Sequence, residues 1–198
     1  MGAEYLSQLL TPEVLATQAR TYGRRAARPE SHGPEPLGEA ELDFISQLDS
    51  FYLATVTSEG WPYVQHRGGP KGFLHALDPH TLAFADLKGN RQLISAGNLS
   101  SGDGRVSLIA VDYPRRERFK LIGHAKLVEP SVHPELVPKG SKAVERLVVI
   151  DVVAFDWNCP AYITPRYTVE DIERLAKPLQ QRVADLEAEL SALRSRAK

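Results

Sequence analysis

The sequence predicts a mainly β protein built on an antiparallel barrel or sandwich, with helices at both ends of the chain. Six or seven short segments rich in β-branched and aromatic residues follow one another between residues 51 and 156. Turn-forming residues, with few intervening helices, separate these segments. A doubly wound parallel sheet would need a helix between most strands, so an antiparallel arrangement is favoured.

The N-terminal part of the chain predicts helices joined by an extended connector. Residues 1–24 have helical character, and Thr11-Pro12 is a typical helix start because a hydroxyl N-cap precedes proline at the first helical position. Three prolines within residues 24–37 favour an extended connection. A second helix is predicted over residues 38–49, where apolar side chains at three-residue steps share one face.

The strand candidates share β-branched and aromatic runs that are bounded by turn-forming residues. They cover residues 51–57, 61–66, 72–77, 81–86, 105–112, 118–128 and 146–156. Ser58-Glu59-Gly60 separates the first two and predicts a β-hairpin. A short helix is predicted over residues 90–97, between the fourth and fifth strands.

The C-terminal part predicts a long amphipathic helix that begins at Thr168, with Asp171 completing a capping box. Its apolar side chains recur at three- and four-residue steps: Ile172, Leu175, Leu179, Val183, Leu186, Leu190 and Leu193. Pro178 is expected to kink or restart the helix. Such a stripe can pack on the protein's own barrel or pair between subunits, and the sequence leaves both arrangements open.

Composition favours a globular, cytoplasmic protein without a nucleic-acid or membrane partner. Hydrophobic residues make up 42% of the chain, and the formal net charge is −1. A nucleic-acid-binding domain usually carries a basic face. The N-terminus lacks the signal-peptide pattern, and no apolar run approaches the roughly 20 residues that span a bilayer. The single cysteine, Cys159, excludes an intramolecular disulfide.

A glycine-rich turn between two predicted strands is the first candidate for anion binding. It contains Gln65, His66, Arg67, Gly68 and Lys71. Glycines allow a backbone to approach a ligand closely, and Arg67 can bind an anion through two parallel hydrogen bonds. Taken alone, the segment is equally typical of a solvated turn.

A second polar turn follows the predicted strand 81–86. Its donors are Lys88, Asn90, Arg91 and Gln92, and the start of the next helix would add backbone amides that favour an anion. Because the two turns lie on consecutive strands, they could face one cleft. A small molecule with a terminal phosphate and a polar ring system would suit such a cleft.

Other chemistries lack a matching pattern. Neither a dinucleotide-binding G-x-G-x-x-G, a P-loop nor a G-x-S-x-G nucleophile elbow is present. The six histidines form no H-x-x-x-H pair, so no metal site is predicted. Cys159 has no neighbouring cysteine to make it a redox pair, and we assign no catalytic side chain.

Several motifs occur in a fixed order from about Glu41 to Tyr167. They are Phe51-Tyr52-Leu53-Ala54-Thr55, the segments 60–69 and 84–91, Trp157-Asn158-Cys159-Pro160 and Ile163-Thr164-Pro165-Arg166-Tyr167. In this order the chain resembles the pyridoxamine 5′-phosphate oxidase-like, split-barrel FMN-binding family, and the last two motifs resemble a subgroup carrying W-N-C-P and I-T-P-R-[YF]. The phosphate loop departs from the oxidase, reading Lys-Gly-Asn-Arg in place of a Ser-Arg-Lys type sequence, so FMN binding is expected rather than vitamin B6 oxidation.

The resemblance implies a six- to seven-stranded antiparallel split β-barrel over residues 38–167. This domain would follow an N-terminal helix and connector (1–37) and precede a C-terminal amphipathic helix (168–198). A homodimer is implied, with FMN sites at the subunit interface and a small-molecule substrate. The expected activity is electron transfer between a reduced nicotinamide or other donor and a small-molecule acceptor. A non-enzymatic flavin-binding or redox-sensing module is the alternative, and a deazaflavin or haem stays open as the ligand.

The resemblance also assigns cofactor contacts in three groups. Along the isoalloxazine ring and ribityl chain would lie Gln65, His66, Arg67, Gly68, Phe84, Ala85 and Asp86, and Lys71 would lie near the flavin or the phosphate. Around the phosphate would lie Lys88, Asn90, Arg91 and Gln92. From the other subunit would come Asp112, Tyr113 and Arg116, or Trp157, Asn158 and Arg166.

Overall fold

A computed structural model describes residues 2–23, 27–138, 143–157 and 161–196. The chain divides into two compact units, one formed by residues 1–112 and 117–160, the other by 113–116 and 161–198. The helices are α1 (Ala3–Leu9), α2 (Pro12–Tyr22), α3 (Glu39–Gln47), α4 (Ile94–Ser101) and α5 (Val169–Arg196). The strands are β1 (Ser50–Val56), β2 (Pro62–Gly68), β3 (His75–Asp78), β4 (Thr81–Leu87), β5 (Arg105–Asp112), β6 (Glu117–Val128) and β7 (Val144–Trp157).

The seven strands form one sheet in the order β2-β1-β5-β6-β7-β4-β3. Every neighbouring pair is antiparallel, including the hairpin that pairs Val56 with Pro62 and Ser50 with Gly68. This arrangement confirms the prediction of a mainly β fold with flanking helices.

The sheet curls strongly enough to bring distant strands together. Three strands separate β1 from β4 in the sheet order. At about 4.8 Å per strand, a flat sheet would hold β1 and β4 roughly 19 Å apart. Instead, the ring centroids of Phe51 on β1 and Phe84 on β4 are 5.2 Å apart, and both side chains are buried. The sheet therefore closes around its own core in the manner of a barrel.

Alternation along each strand fills the core of this barrel. On β1, Phe51 and Leu53 are buried, whereas Tyr52 is exposed, as the two-residue period of a strand requires. Helix α3 covers the core with its apolar face. Its Phe44 ring contacts Phe119, at 5.9 Å between centroids, and Trp157, at 4.9 Å.

The N-terminal helical segment is two helices rather than one. Helix α1 ends at Leu9, and α2 begins after Thr11, whose Oγ1 accepts a hydrogen bond from the Val14 amide as the N-cap prediction requires. The carboxylate of Glu4 is buried, and it accepts hydrogen bonds from the Ser31 hydroxyl and the His32 amide. This carboxylate therefore fastens the proline-rich connector to α1.

The short fourth helix begins four residues later than predicted, at Ile94 instead of residue 90. Arg91 and Leu93 have φ angles of 64° and 54°, in the left-handed region that a right-handed helix cannot include. In the same loop, the Asn90 side-chain oxygen accepts a hydrogen bond from the Gln92 amide. The polar residues that precede α4 therefore form a loop of their own.

Helix α5 runs without interruption over 28 residues. Thr168 and Asp171 form the predicted capping box: the Asp171 amide donates to Thr168 Oγ1 at 3.1 Å, and the Thr168 amide donates to Asp171 Oδ2 at 3.2 Å. The helix continues through Pro178 and does not restart there. Within the described residues, no helix is both long and apolar enough to cross a membrane.

Candidate functional site

An open cleft lies beside the edge strand β2, in the unit that contains the sheet. The space between its walls, open solvent included, is about 380 Å³. The cleft is lined by one face of β2, the end of β4, the loop after β4, the start of α4 and one residue of β7. These residues are Tyr63, Gln65, Arg67, Asp86, Leu87, Gly89, Asn90, Arg91, Gln92, Leu93, Ile94, Ser95, Ala96 and Glu145.

An ion pair closes the back of the cleft. Arg67 Nη1 lies 2.6 Å from Asp86 Oδ1, and the two side chains are only 14% and 10% exposed. Arg67 belongs to the first strand of the sheet order and Asp86 to the sixth, so the pair exists only because the sheet curls. Asp86 Oδ2 also lies 3.6 Å from Arg146 Nη1, so two guanidinium groups neutralise the buried carboxylate.

Arg67 is held on a second side by an aromatic ring. Its guanidinium carbon lies 5.8 Å from the centroid of the Phe84 ring, within the range of a cation–π contact. Its Nε atom is buried and has no hydrogen-bond partner within the protein. Arg67 therefore carries one buried donor without a partner, which is rare in folded proteins.

The loop before α4 presents backbone amides to the cleft. No side chain caps the N-terminus of α4, whose first residues, Ile94 to Ala96, line the cleft. Free amides at a helix start carry a partial positive charge and favour anions. The left-handed residues Arg91 and Leu93 bend the loop in the manner of anion-binding backbone concavities.

Side-chain hydrogen bonds fix α4 against the sheet. Ser95 Oγ donates to Gln65 Oε1 at 2.9 Å, and Asn98 Nδ2 donates to Thr55 Oγ1 at 2.8 Å. The first of these bonds joins the two walls of the cleft directly. The start of α4 is therefore held at a defined distance from β2.

The structure brings six of the predicted cofactor contacts to this cleft: Gln65, Arg67, Asp86, Asn90, Arg91 and Gln92. The alternation of β2 explains why their neighbours are elsewhere. Tyr63, Gln65 and Arg67 share the half-buried face, whereas His66 and Gly68 belong to the exposed face. On that outer face the His66 ring meets the Tyr52 ring edge to face, 5.5 Å between centroids.

Four further predicted contacts lie outside the lining. Phe84 is buried in the main core, and Ala85 packs against a second apolar cluster around Leu147. The side chain of Lys88 is exposed, and its amide donates to the Ala143 carbonyl. Lys71 is exposed in the turn that follows β2.

The residues that the resemblance assigned to a second subunit occupy two environments. Trp157 packs in the core of its own chain, 5.1 Å from Phe119 between ring centroids, and its Nε1 donates to Glu41 at 2.7 Å. In the other unit, the Arg166 guanidinium lies 4.8 Å from the centroid of the Tyr113 ring, and Arg116 has a φ angle of 60°. Asn158 lies outside the described residues.

Eight of the fourteen lining residues are missing from the sequence-based set, among them Tyr63, Ser95 and Glu145. Tyr63 was accessible to prediction, since it lies two residues before Gln65 on the same face of β2. Ser95 and Glu145 carry no such local signal, because their elements reach the cleft only through helix docking and strand order. Among the described residues, no group of three or more His, Cys, Asp or Glu side chains is positioned to hold a metal ion.

Several solved structures are similar to this chain at low sequence identity. A HupZ variant from Group A Streptococcus aligns at 14% identity over 62% of this chain and 99% of its own, with a TM-score of 0.51. A putative pyridoxamine 5′-phosphate oxidase from Lactobacillus delbrueckii aligns at 23% identity over 61% and 93%, with a TM-score of 0.47. An FMN-binding protein from Syntrophomonas wolfei aligns at 12% identity over 60% and 83%, with a TM-score of 0.44. No curated protein matches the chain.

The family described as pyridoxamine 5′-phosphate oxidase matches residues 37–155, which is more than half of the chain and includes the whole cleft. The chain therefore belongs to the pyridoxamine 5′-phosphate oxidase family.

Proposed function

We propose that this protein binds flavin mononucleotide in the cleft and works as an oxidoreductase on a small-molecule substrate. One observation carries the proposal: the Arg67–Asp86 ion pair draws β2 against the end of β4, beside the uncapped start of α4. Donors from β2 and from the loop before α4 thereby line one cleft. Membership of the pyridoxamine 5′-phosphate oxidase family supports the same ligand.

The loop side of the cleft would hold the phosphate. Arg91 contributes an exposed guanidinium, Asn90 and Gln92 contribute side-chain amides, and the first turn of α4 contributes backbone amides. A phosphate dianion needs several donors and a local positive charge, and this set supplies both. The donor chemistry therefore fits the phosphorylated end of the ligand.

The β2 side of the cleft would face the ring and the ribityl chain. Tyr63, Gln65 and Arg67 stand in a row on the inward face of this strand. Arg67 lines the cleft, and the N–H groups of a guanidinium suit a ring or hydroxyl acceptor. When bound, the flavin supplies hydride and one-electron transfer chemistry, and the side chains position it and exclude water from its buried edge.

The outer face of the β1–β2 hairpin supports the expected homodimer. Tyr52 and Val56 on β1, and Val64 on β2, point to this face and are 43%, 48% and 59% exposed. Adjacent exposed apolar side chains on a sheet face are typical of protein–protein contacts. We propose that a second subunit covers this face.

Identification of the ligand is the direct test. The purified protein should be yellow, and mass spectrometry of the small molecule released on denaturation should give the mass of FMN. A deazaflavin or haem would be recognised by its different mass and spectrum. A colourless protein that takes up no FMN in a titration would contradict the proposal.

Catalytic turnover distinguishes an oxidoreductase from the redox-sensing alternative. With FMN bound, we expect the protein to oxidise NADH or NADPH in the presence of an electron acceptor. A bound flavin that no reduced nicotinamide can reduce would favour a non-enzymatic flavin-binding module.

A further inference from the structure

Helix α5 carries a continuous apolar stripe. The stripe consists of Ile172, Leu175, Leu179, Val183, Leu186, Leu190 and Leu193, and each of these side chains is between 41% and 70% exposed. At about 100° per residue, all seven lie within a band roughly 80° wide. At about 1.5 Å per residue, the band is roughly 32 Å long.

No residue of α5 is buried. Amphipathic helices form an apolar band in order to bury it, and a band of this size exceeds the scattered apolar exposure usual on a monomer. A helical partner of similar length and with a matching apolar band would cover it best.

The stripe is symmetric about the midpoint of α5, between Arg182 and Val183. Ile172 and Leu193 are equidistant from this point, as are Leu175 and Leu190, and Leu179 and Leu186. A second copy of α5 running in the opposite direction therefore places leucine or isoleucine opposite leucine at each of these positions. The parallel arrangement also aligns the stripe with itself, so the apolar positions alone do not determine the direction.

The charges beside the stripe determine the direction. Arg182 and Glu189 flank one edge of the stripe, and Glu187 and Arg194 flank the other edge. In a parallel pair the opposite edges of the two copies meet, which sets Arg182 against Glu187 and Glu189 against Arg194. In an antiparallel pair the same edges meet, which sets Arg182 beside its own copy near the midpoint and is unfavourable.

We propose that α5 is an interaction surface for a second copy of this chain and pairs with the α5 of that copy in parallel orientation. None of the stripe residues lines the flavin cleft or belongs to the β1–β2 hairpin. Salt weakens the charge contribution, whereas the apolar contact persists.

Cysteine cross-linking of the intact protein tests both the contact and its direction. In a Cys159→Ser background, which removes the natural cysteine, Val183→Cys and Ile172→Cys should each form a disulfide with their own copies, because parallel pairing holds equal positions side by side. In a mixture of Ile172→Cys and Leu193→Cys proteins, no disulfide should join the two variants, because parallel pairing holds these positions about 32 Å apart.

The cross-linking pattern distinguishes a parallel pair from other partners of the stripe. Cross-linking of Ile172→Cys to Leu193→Cys, without self-cross-linking of Ile172→Cys, would show antiparallel pairing and overturn the proposal. No cross-link at any position would show that the stripe is covered by another part of the chain or by a different protein, which also overturns it.

A matched pair of charge variants tests the role of the stripe. In the Val183→Cys protein, Leu186→Glu places a charge in the stripe, whereas Ala188→Glu places the same charge on the opposite face of α5. The first change should lower the cross-linking rate at least tenfold, and the second should leave it unchanged. Equal effects of the two variants would contradict pairing through the stripe. None of these residues lies in the flavin cleft, so the result is independent of flavin binding.

Discussion

Replacement of Arg91 should weaken phosphate binding without destabilising the folded protein. Arg91 lines the cleft, its side chain is exposed, and its φ angle of 64° lies in the left-handed region. Glycine adopts this conformation without steric cost, whereas any other L-residue pays about 1–2 kcal/mol there. Arg91→Gly therefore removes the guanidinium while the loop stays equally or more stable, and Arg91→Ala removes it without relieving the strain.

The size of the effect follows from the lost contact. One charge-assisted hydrogen bond to a phosphate contributes about 1–3 kcal/mol, so the dissociation constant for FMN should rise roughly 5- to 150-fold in both variants. Riboflavin has the same ring and ribityl chain without the phosphate. Its affinity should change by less than about twofold, because the lost guanidinium has no phosphate to bind.

Titration by quenching of flavin fluorescence measures both affinities. Arg20→Ala, on the exposed surface of α2, is the control for the loss of one positive charge and should bind FMN like the natural protein. An unchanged FMN affinity in Arg91→Gly would refute the assignment of the phosphate to this loop. An equal loss for riboflavin and FMN would show that Arg91 acts on the ring or on the shape of the cleft.

Three further predictions concern stability. Asp86→Asn should lower the free energy of unfolding by about 3–5 kcal/mol in urea titrations, because the change removes the carboxylate that pairs with the largely buried Arg67 guanidinium, whereas Arg146 keeps its ion pair with Glu145. Hydrogen bonds, first that from the Ser31 hydroxyl, lower the pKa of Glu4 from 4.5 to about 2. The stability that this carboxylate confers is therefore present above pH 4.5 and lost as the pH falls towards 2, and Glu4→Gln should remove that part of the pH dependence. Burial, reinforced by nearby carboxylates, raises the pKa of Glu35 above 4.5, so its ionisation opposes folding as the pH rises, and Glu35→Gln should raise the melting temperature at pH 7.

Each of these predictions has its own control. Asp151→Asn breaks an ion pair whose side chains are 60% and 55% exposed, so it should change the free energy of unfolding by less than about 1 kcal/mol. Similar losses for the Asp86 and Asp151 variants would contradict the buried role of Asp86. A Glu4→Gln protein with an unaltered acid unfolding curve, or a Glu35→Gln protein stabilised equally at pH 3 and pH 7, would contradict the pKa assignments.

Local features of the chain were predictable from the sequence alone. The β1–β2 hairpin, the Thr11 and Thr168 helix starts and the stripe of α5 all depend on residues within a few positions of one another. Side-chain alternation and capping act over one or two turns of chain, so the sequence records them directly. The two polar turns were identified for the same reason, as compositions that suit an anion.

The tertiary structure alone decided which of these residues meet. Arg67 meets Asp86, which lies five strands away in the sheet order, because the sheet is strongly curved. Glu145 reaches the cleft through the strand order, and Ser95 reaches it through the docking of α4. The tertiary structure also placed Trp157 in the core beneath α3, where the motif by itself suggested a ligand contact. Strand pairing joins residues far apart in the chain, so no local pattern encodes it. The sequence by itself therefore determined the strands, the helix starts and two polar segments, and the closure of the sheet brought one face of β2 and the loop before α4 together in one cleft.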